Sequence, residues 1–228
     1  MGCKGGIQVK NKAIICDFDG TITETDNIIA IMKRFAPPEW DALKNGVLSQ
    51  GISIQEGVGK MFELLPSSSK NEIVDYILDH AQIRAGFKDF VQYTKDKQIP
   101  LYIVSGGIDF FVYPLLEGLI DEEQIYCNKA DFSNEMIKIE WPHSCDENCD
   151  NHCGCCKPSL IRQLTTEDQA KIVIGDSITD LQAAKLADFV IARDLLLEKS
   201  KELHLPHKPF TTFYDVIEVL DRLEEVRA

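Results

Sequence analysis

Apolar and polar positions follow two rhythms along this chain. Ala13-Ile-Ile-Cys16, Pro100-Leu-Tyr-Ile-Val-Ser105, Lys171-Ile-Val-Ile-Gly175 and Phe189-Val-Ile-Ala192 are short apolar runs bounded by polar residues. That pattern predicts strands buried on both faces. Helical spacing fills the intervals at Phe87–Lys97, Asp109–Gly118, Lys157–Leu164, Ile178–Leu186 and Tyr214–Val226. Two shorter strands are predicted at Ile125–Cys127 and Met136–Trp141, flanking a turn near Ser133-Asn134, and Phe189–Ala192 reads as the last strand. Strands alternating with helices predict an α/β fold, a Rossmann-like doubly wound and mostly parallel sheet. Ligands of such sheets gather at the carboxyl ends of the strands.

One segment breaks the alternation. From Asp26 to Ala85 no strand-like run occurs, and Ile28, Ile31, Met32 and Phe35 share a helical face until Pro37-Pro38 stops it. Ser53-Ile-Gln-Glu56 and Ser69-Lys-Asn-Glu72 both fit the capping box that opens a helix, with Pro66 and Ser67 to Ser69 separating them. The expected organisation is a core made of residues 1–25 and 86–228, a helical cap at 26–85, and a Cys-rich loop at 143–156 within the core.

Composition narrows the classes. The 228 residues are 44% hydrophobic and 27% charged, enough apolar material for a sizeable core. No apolar run is long enough to span a bilayer. Met1–Lys12 is polar and lacks a signal-peptide segment, and Gly2 is followed at position 6 by Gly where myristoylation wants Ser or Thr. A cytoplasmic protein is expected. A net charge of −13 disfavours nucleic acid and membrane surfaces as partners. It leaves a small molecule, and an anionic one needs positive charge supplied locally. The oligomeric state is left between monomer and homodimer.

Candidate chemistry begins where the first strand ends, at Asp17-Phe-Asp-Gly-Thr21. Alternation sends Asp17 and Asp19 to one side and Phe18 to the other. Two close carboxylates repel unless a cation sits between them, and a hard, oxygen-seeking ion such as Mg²⁺ suits the pair. Gly20 lets the backbone bend past a ligand, and Thr21 offers a hydroxyl and an N–H to an anion. Of the eight cysteines, Cys16 and Cys127 sit in apolar strands and read as small buried hydrophobes, while Cys3 stands alone. The other five lie between Cys145 and Cys156. Cys145, Cys149, Cys153 and Cys156 could supply four thiolates to a structural Zn²⁺; disulfides and free thiols are the other two readings.

Asp17-x-Asp19-Gly-Thr21, Ser105-Gly-Gly107, Lys157 and Gly175-Asp-Ser-Ile-Thr-Asp180, in that order, resemble the four motifs of the haloacid dehalogenase superfamily of phosphohydrolases. The resemblance implies that Asp17 is the nucleophile and that Asp19 protonates the leaving oxygen and then activates water. It implies that Ser105 and Gly106 bind phosphate together with Lys157, which also shields Asp17 from Asp176. Mg²⁺ would sit on Asp17, the backbone carbonyl of Asp19 and Asp176, with Asp180 orienting Lys157 or a metal-bound water. A cap between the first two motifs resembles that of phosphoserine phosphatases. There Asp26 would meet a substrate amine, or it simply caps the next helix.

Longer stretches, among them Asp-Asn-Ile-Ile (26–29), Phe-Ala-Pro-Pro-Glu-Trp (35–40) and Cys-Gly-Cys-Cys-Lys-Pro-Ser (153–159), are similar to one bacterial branch of that superfamily. That branch hydrolyses a methylthio-bearing enol phosphate in methionine salvage. Met61 and Phe62 would then face the methylthio tail, or else belong to the core. The rival readings are a phosphatase for phosphoserine or another small metabolite, and a non-catalytic phosphate- or metal-binding protein. Binding alone needs no second acid, so Asp19 speaks against the last.

Overall fold

A computed structural model describes residues 11–49 and 51–225. Gly2, Cys3, Gly6 and Val226 lie outside the described residues. Seven strands are found among those described: β1 (Lys12–Cys16), β2 (Leu101–Ile108), β3 (Ile125–Asp131), β4 (Lys138–Glu140), β5 (Ala170–Gly175), β6 (Phe189–Ala192) and β7 (His207–Pro209). They form one sheet in the order β4-β3-β2-β1-β5-β6-β7. Every neighbouring pair is parallel except β3 with β4. Strand β1 takes the centre, buried from Ala13 to Cys16, where Ile14 lies in register with Leu101 on one side and Ile172 on the other. From β1 the chain winds outward through β2 and β3, then returns to β5 and winds the opposite way. The switch point therefore falls at the carboxyl end of β1.

The first four of the five helices between β1 and β2 are α1 (Asn27–Phe35), α2 (Trp40–Leu48), α3 (Ile54–Phe62) and α4 (Lys70–His80). Asp26 caps α1 by accepting from Ile29 N at 2.9 Å, and Ser53 caps α3 by accepting from Glu56 N at 3.0 Å. The Ser69 capping box does not form. Ser69 closes a short 3₁₀ turn, Ser67–Ser69, and its hydroxyl donates back to Pro66 O at 2.6 Å, so no side chain is left for the cap. This helical layer is tied to the β3–β4 hairpin by Ser67 N to Glu135 O at 2.8 Å and Ile137 N to Leu65 O at 3.0 Å.

The remaining helices are α5 (Phe87–Asp96), α6 (Asp109–Leu116), α7 (Lys157–Leu164), α8 (Leu181–Ala184), α9 (Asp194–Glu202) and α10 (Phe213–Glu225). No helix among the described residues is long and apolar enough to cross a membrane. Three sequence expectations need correction. The strand expected to end in Ser105-Gly-Gly107 runs on through it to Ile108, across a register shift between Val104 and Ile108. Phe189–Ala192 is not the last strand, because His207-Lys-Pro209 adds a parallel edge too short and too polar to announce itself. The helix expected at Ile178–Leu186 begins as a 3₁₀ turn, Ile178–Asp180, before α8.

One face of the sheet is covered by α5 and α10, where the Phe213 ring lies 5.0 Å from both Phe87 and Phe90 and 6.0 Å from Phe210. Across the sheet, Ile15, Val104 and Val173 pack on Leu160 and Ile161 of α7. Phe213 is fully buried, so Phe213→Ala is expected to cost about 3–5 kcal/mol through the cavity it leaves. The midpoint of urea unfolding reads this, and an unchanged midpoint would show that this face is not core.

Candidate active site

Asp17 follows directly on β1, and its backbone N–H is held by Ile174 O of β5 at 2.9 Å. The strands beside it carry the other motifs: Ser105 within β2 and Asp176 just after β5. Gly20 turns the chain with φ +79°, and a Cβ there would meet Asp176 Oδ2 at 2.5 Å. The two motifs can approach so closely only with glycine at that position.

Lys157 is the first residue of α7, and the helix start delivers its ammonium beneath Asp17. The Nζ donates to Asp17 Oδ1 at 2.6 Å and to Asp180 Oδ1. All three side chains are at most 6% exposed. Asp180 is itself fixed, because its other oxygen accepts from Asp176 N at 3.1 Å and Ser177 N at 3.0 Å in a capping box. Burial alone would push the Lys157 ammonium down, but Asp17 and Asp180 together hold it above its usual range. The Asp17 carboxyl is pushed well up by burial and by the Asp180 charge, with Lys157 pulling the other way.

Asp19 accepts from the backbone and side-chain nitrogens of Asn27 at 3.0 and 2.7 Å. Burial, helped by the charge of Asp26 and opposed by Asn27, pushes its carboxyl up to about 7. The carboxyl of Asp176 rises to about 6 through burial and the Asp180 charge, although Thr21 Oγ1 donates to it at 2.7 Å. Thr21 also spends its backbone N–H on Phe18 O at 3.2 Å, so both donors that could have met an anion are engaged. Ser105 Oγ accepts from Gly107 N at 2.8 Å, which leaves its own hydrogen free to donate. Nothing lies within 4 Å of where a Gly106 Cβ would stand, so open space adjoins this backbone.

Three contributors were not foreseen. Asn27 holds Asp19; it directly follows a helix cap, a place where Asn draws no notice. Arg84 is buried and donates to the carbonyls of Thr21 at 2.7 Å, Gly20 at 2.8 Å and Thr23 at 3.2 Å, clamping the turn after β1. Asn128 donates to Gly106 O at 2.8 Å; a fully buried amide in an apolar strand was a legible signal. Met61 and Phe62 belong to the core, at 3% and 0% exposure.

Residues 14–185 match the model of the haloacid dehalogenase-like hydrolases. The chain belongs to the haloacid dehalogenase-like hydrolase family. It is 65% identical over 217 residues to the 2-hydroxy-3-keto-5-methylthiopentenyl-1-phosphate phosphatase of Geobacillus thermodenitrificans, covering 95% of this chain and 99% of that one. It is 58% identical over 215 residues to the protein of the same name from Bacillus velezensis, with 94% and 92% covered. A solved substrate-bound phosphoserine phosphatase complex superimposes with a TM-score of 0.69 over 92% of this chain and 98% of that chain. At 18% identity this likeness establishes the fold alone.

A divalent cation fits this member of the hydrolase family on its own residues. Ligand oxygens of Asp17, Asp176 and Asp180 all lie within 4.8 Å of one another, with one ammonium among them. Burial first, and neighbouring carboxylates after it, raise the carboxyls of Asp17, Asp19 and Asp176. Since Lys157 and two amides occupy both oxygens of Asp180, the second oxygens of Asp17 and Asp176, beyond those held by Lys157 and Thr21, are the ones left to a hard ion.

Removing the ammonium should expose the same imbalance. Lys157→Met is expected to destabilise the fold by about 3–5 kcal/mol, because it strands buried carboxylates without their partner. Adding Asp180→Asn should recover part of that loss. Urea unfolding of the single and double variants checks it, and a Lys157→Met protein as stable as the parent would refute the account.

Proposed function

We propose that this hydrolase removes the phosphate of 2-hydroxy-3-keto-5-methylthiopentenyl-1-phosphate, an enol phosphate ester, and so serves methionine salvage. Its likeness to relatives bearing that name, 65% identical over nearly the whole chain, supports the choice of ester. One observation carries the hydrolytic chemistry: an acid poised near neutrality, Asp19, stands two residues beyond a buried carboxylate held by Lys157.

An Asp17 oxygen attacks phosphorus as the bond to the ester oxygen breaks, and Asp19 gives that oxygen its proton. The product enol departs and an aspartyl-phosphate remains. Asp19 then takes a proton from water, whose oxygen bonds to phosphorus as the bond to Asp17 breaks, releasing inorganic phosphate. Ser105 Oγ–H and the Gly106 N–H are the donors assigned to the phosphate oxygens, and Lys157 supplies a fixed positive charge inside the site. Mg²⁺, held by Asp17, Asp176 and the Asp19 carbonyl, supplies neutralisation of the phosphoryl oxygens when bound. Thr21 acts through Asp176 in this reading rather than on the phosphate itself.

Residues 26–85 serve as the cap over this site, which they meet where Asn27 holds Asp19, and a shift of this layer admits the ester to the buried Asp17 and Lys157. Asp26 is committed to capping α1, which disfavours a role in binding the amine of phosphoserine. A small ester is the partner, the enzyme works in the cytoplasm as a monomer or homodimer, and neither nucleic acid nor membrane is needed.

Phosphate release from the enol phosphate and from phosphoserine, each with Mg²⁺ and with chelator, tests the reading. The enol phosphate is expected to be preferred, with turnover lost on chelation and in Asp17→Asn. Asp19→Asn should lower kcat by about 10²–10⁴-fold. Preference for phosphoserine would overturn the substrate, and full activity of Asp17→Asn would overturn the mechanism.

A further inference from the structure

The loop from Trp141 to Cys156 contains no helix or strand, and structureless loops longer than about 12–15 residues are uncommon in compact domains unless something else holds them. It carries five cysteines, and the fold sorts them. Cys155 turns into the core, its Sγ donating to Tyr126 O at 3.5 Å. The sulfurs of Cys145, Cys149, Cys153 and Cys156 converge instead, all within 4.8 Å of one another. Two of them, Cys149 and Cys153, are 4.0 Å apart. A tetrahedron with metal–sulfur bonds of about 2.3 Å has edges of about 3.8 Å, so four thiolates in this arrangement need to move little to close on one ion. Disulfides would gather the sulfurs in twos at about 2.0 Å, whereas every described cysteine is free and these four form a single group.

The surroundings support the sulfurs. Ser159 Oγ donates to Cys156 Sγ at 2.9 Å, and the Cys153 amide donates to Cys145 Sγ. The loop is pinned by Cys156 N to His143 O at 2.8 Å, by Asp146 N to Ser159 Oγ at 2.9 Å, and by Arg162 holding both oxygens of Asp146 at 2.7 and 2.6 Å. We propose that Cys145, Cys149, Cys153 and Cys156 form a closed tetrathiolate site for a structural Zn²⁺. The soft, four-sulfur donor set with no carboxylate or open position matches a structural rather than a catalytic site.

The site has a position as well as a ligand set. Cys156 caps α7 and is bonded directly to Lys157, whose ammonium holds Asp17. On its other side the loop touches the helical layer and the phosphate strand. His152 O accepts from Gln55 N of α3 at 3.3 Å, and Gly154 lies close against the Trp141 ring and near Asn128, which holds Gly106. The zinc thus positions Lys157. That second step rests on the phosphatase reading, while the metal site itself does not.

The test is elemental analysis of the full chain purified with reductant and without chelator. One zinc per chain is expected, released by a mercurial thiol reagent into a colorimetric indicator. Cys149→Ser should lose it, and Cys149→His, which preserves a Cys₃His set, should keep it. Protein without zinc and with four freely titrating thiols, or with a disulfide among these residues, would overturn the site, and equimolar iron would overturn the choice of metal. For the positioning role, kcat should fall at least about tenfold in Cys149→Ser and recover in Cys149→His, at matched circular dichroism. Zinc-free Cys149→Ser with full activity would refute that role. Should the parent cleave no phosphate ester, the functional reading fails and the zinc count still decides the site.

Discussion

A single ammonium, that of Lys157, lies between the buried carboxylates of Asp17 and Asp180. Charges so placed have lost their water, and they persist there only because each is held by the others and by backbone donors. Asp180 spends one oxygen on Lys157 and the other on two amides at the start of a 3₁₀ turn. Asp17 spends one on Lys157 and is anchored through its own N–H to β5. The constraint therefore ties together the ends of β1 and β5 and the first residue of α7. Anything that shifts one of these elements disturbs the charge balance of the site.

That balance is incomplete by design of the residues present. Asp17, Asp176 and Asp180 crowd around one cation with Asp19 nearby, and burial raises the carboxyls of Asp17, Asp19 and Asp176. Such a pocket favours a divalent ion and a proton on Asp19, which are the two things the chemistry of phosphate ester cleavage calls for. The acidic surface makes the point sharper: with a net charge of −13, attraction for a phosphate has to come from inside the site. The helical layer meets that site at Asn27, whose nitrogens hold Asp19, and the Cys-rich loop meets it where Cys156 precedes Lys157.

The legible parts of the sequence were those where local pattern and tertiary demand agree. The apolar runs at Ala13–Cys16 and Lys171–Gly175 became central strands because nothing but a doubly covered sheet can bury them. Ser53 caps α3 as its box suggests, but Ser69 does not cap α4, although its pattern is the same. The difference is that the Ser69 hydroxyl finds the Pro66 carbonyl first, a local competition that the four-residue pattern does not encode. β7 went unread because a three-residue edge strand carrying Lys and Pro has neither length nor apolar period.

By itself the sequence determined the element types, the strand ends that bear Asp17 and Asp176, and the residue chemistry available there and at Ser105, because period and side-chain type are local properties. Only the tertiary structure decided which groups meet. Lys157 reaches Asp17 across 140 residues, Arg84 clamps Gly20 from 64 residues away, and Thr21 gives its hydroxyl to Asp176 rather than to open space. It also decided which of five neighbouring cysteines converge and which one turns inward. Contacts of this kind depend on the register and packing of elements distant in the chain, and no window of residues contains that information.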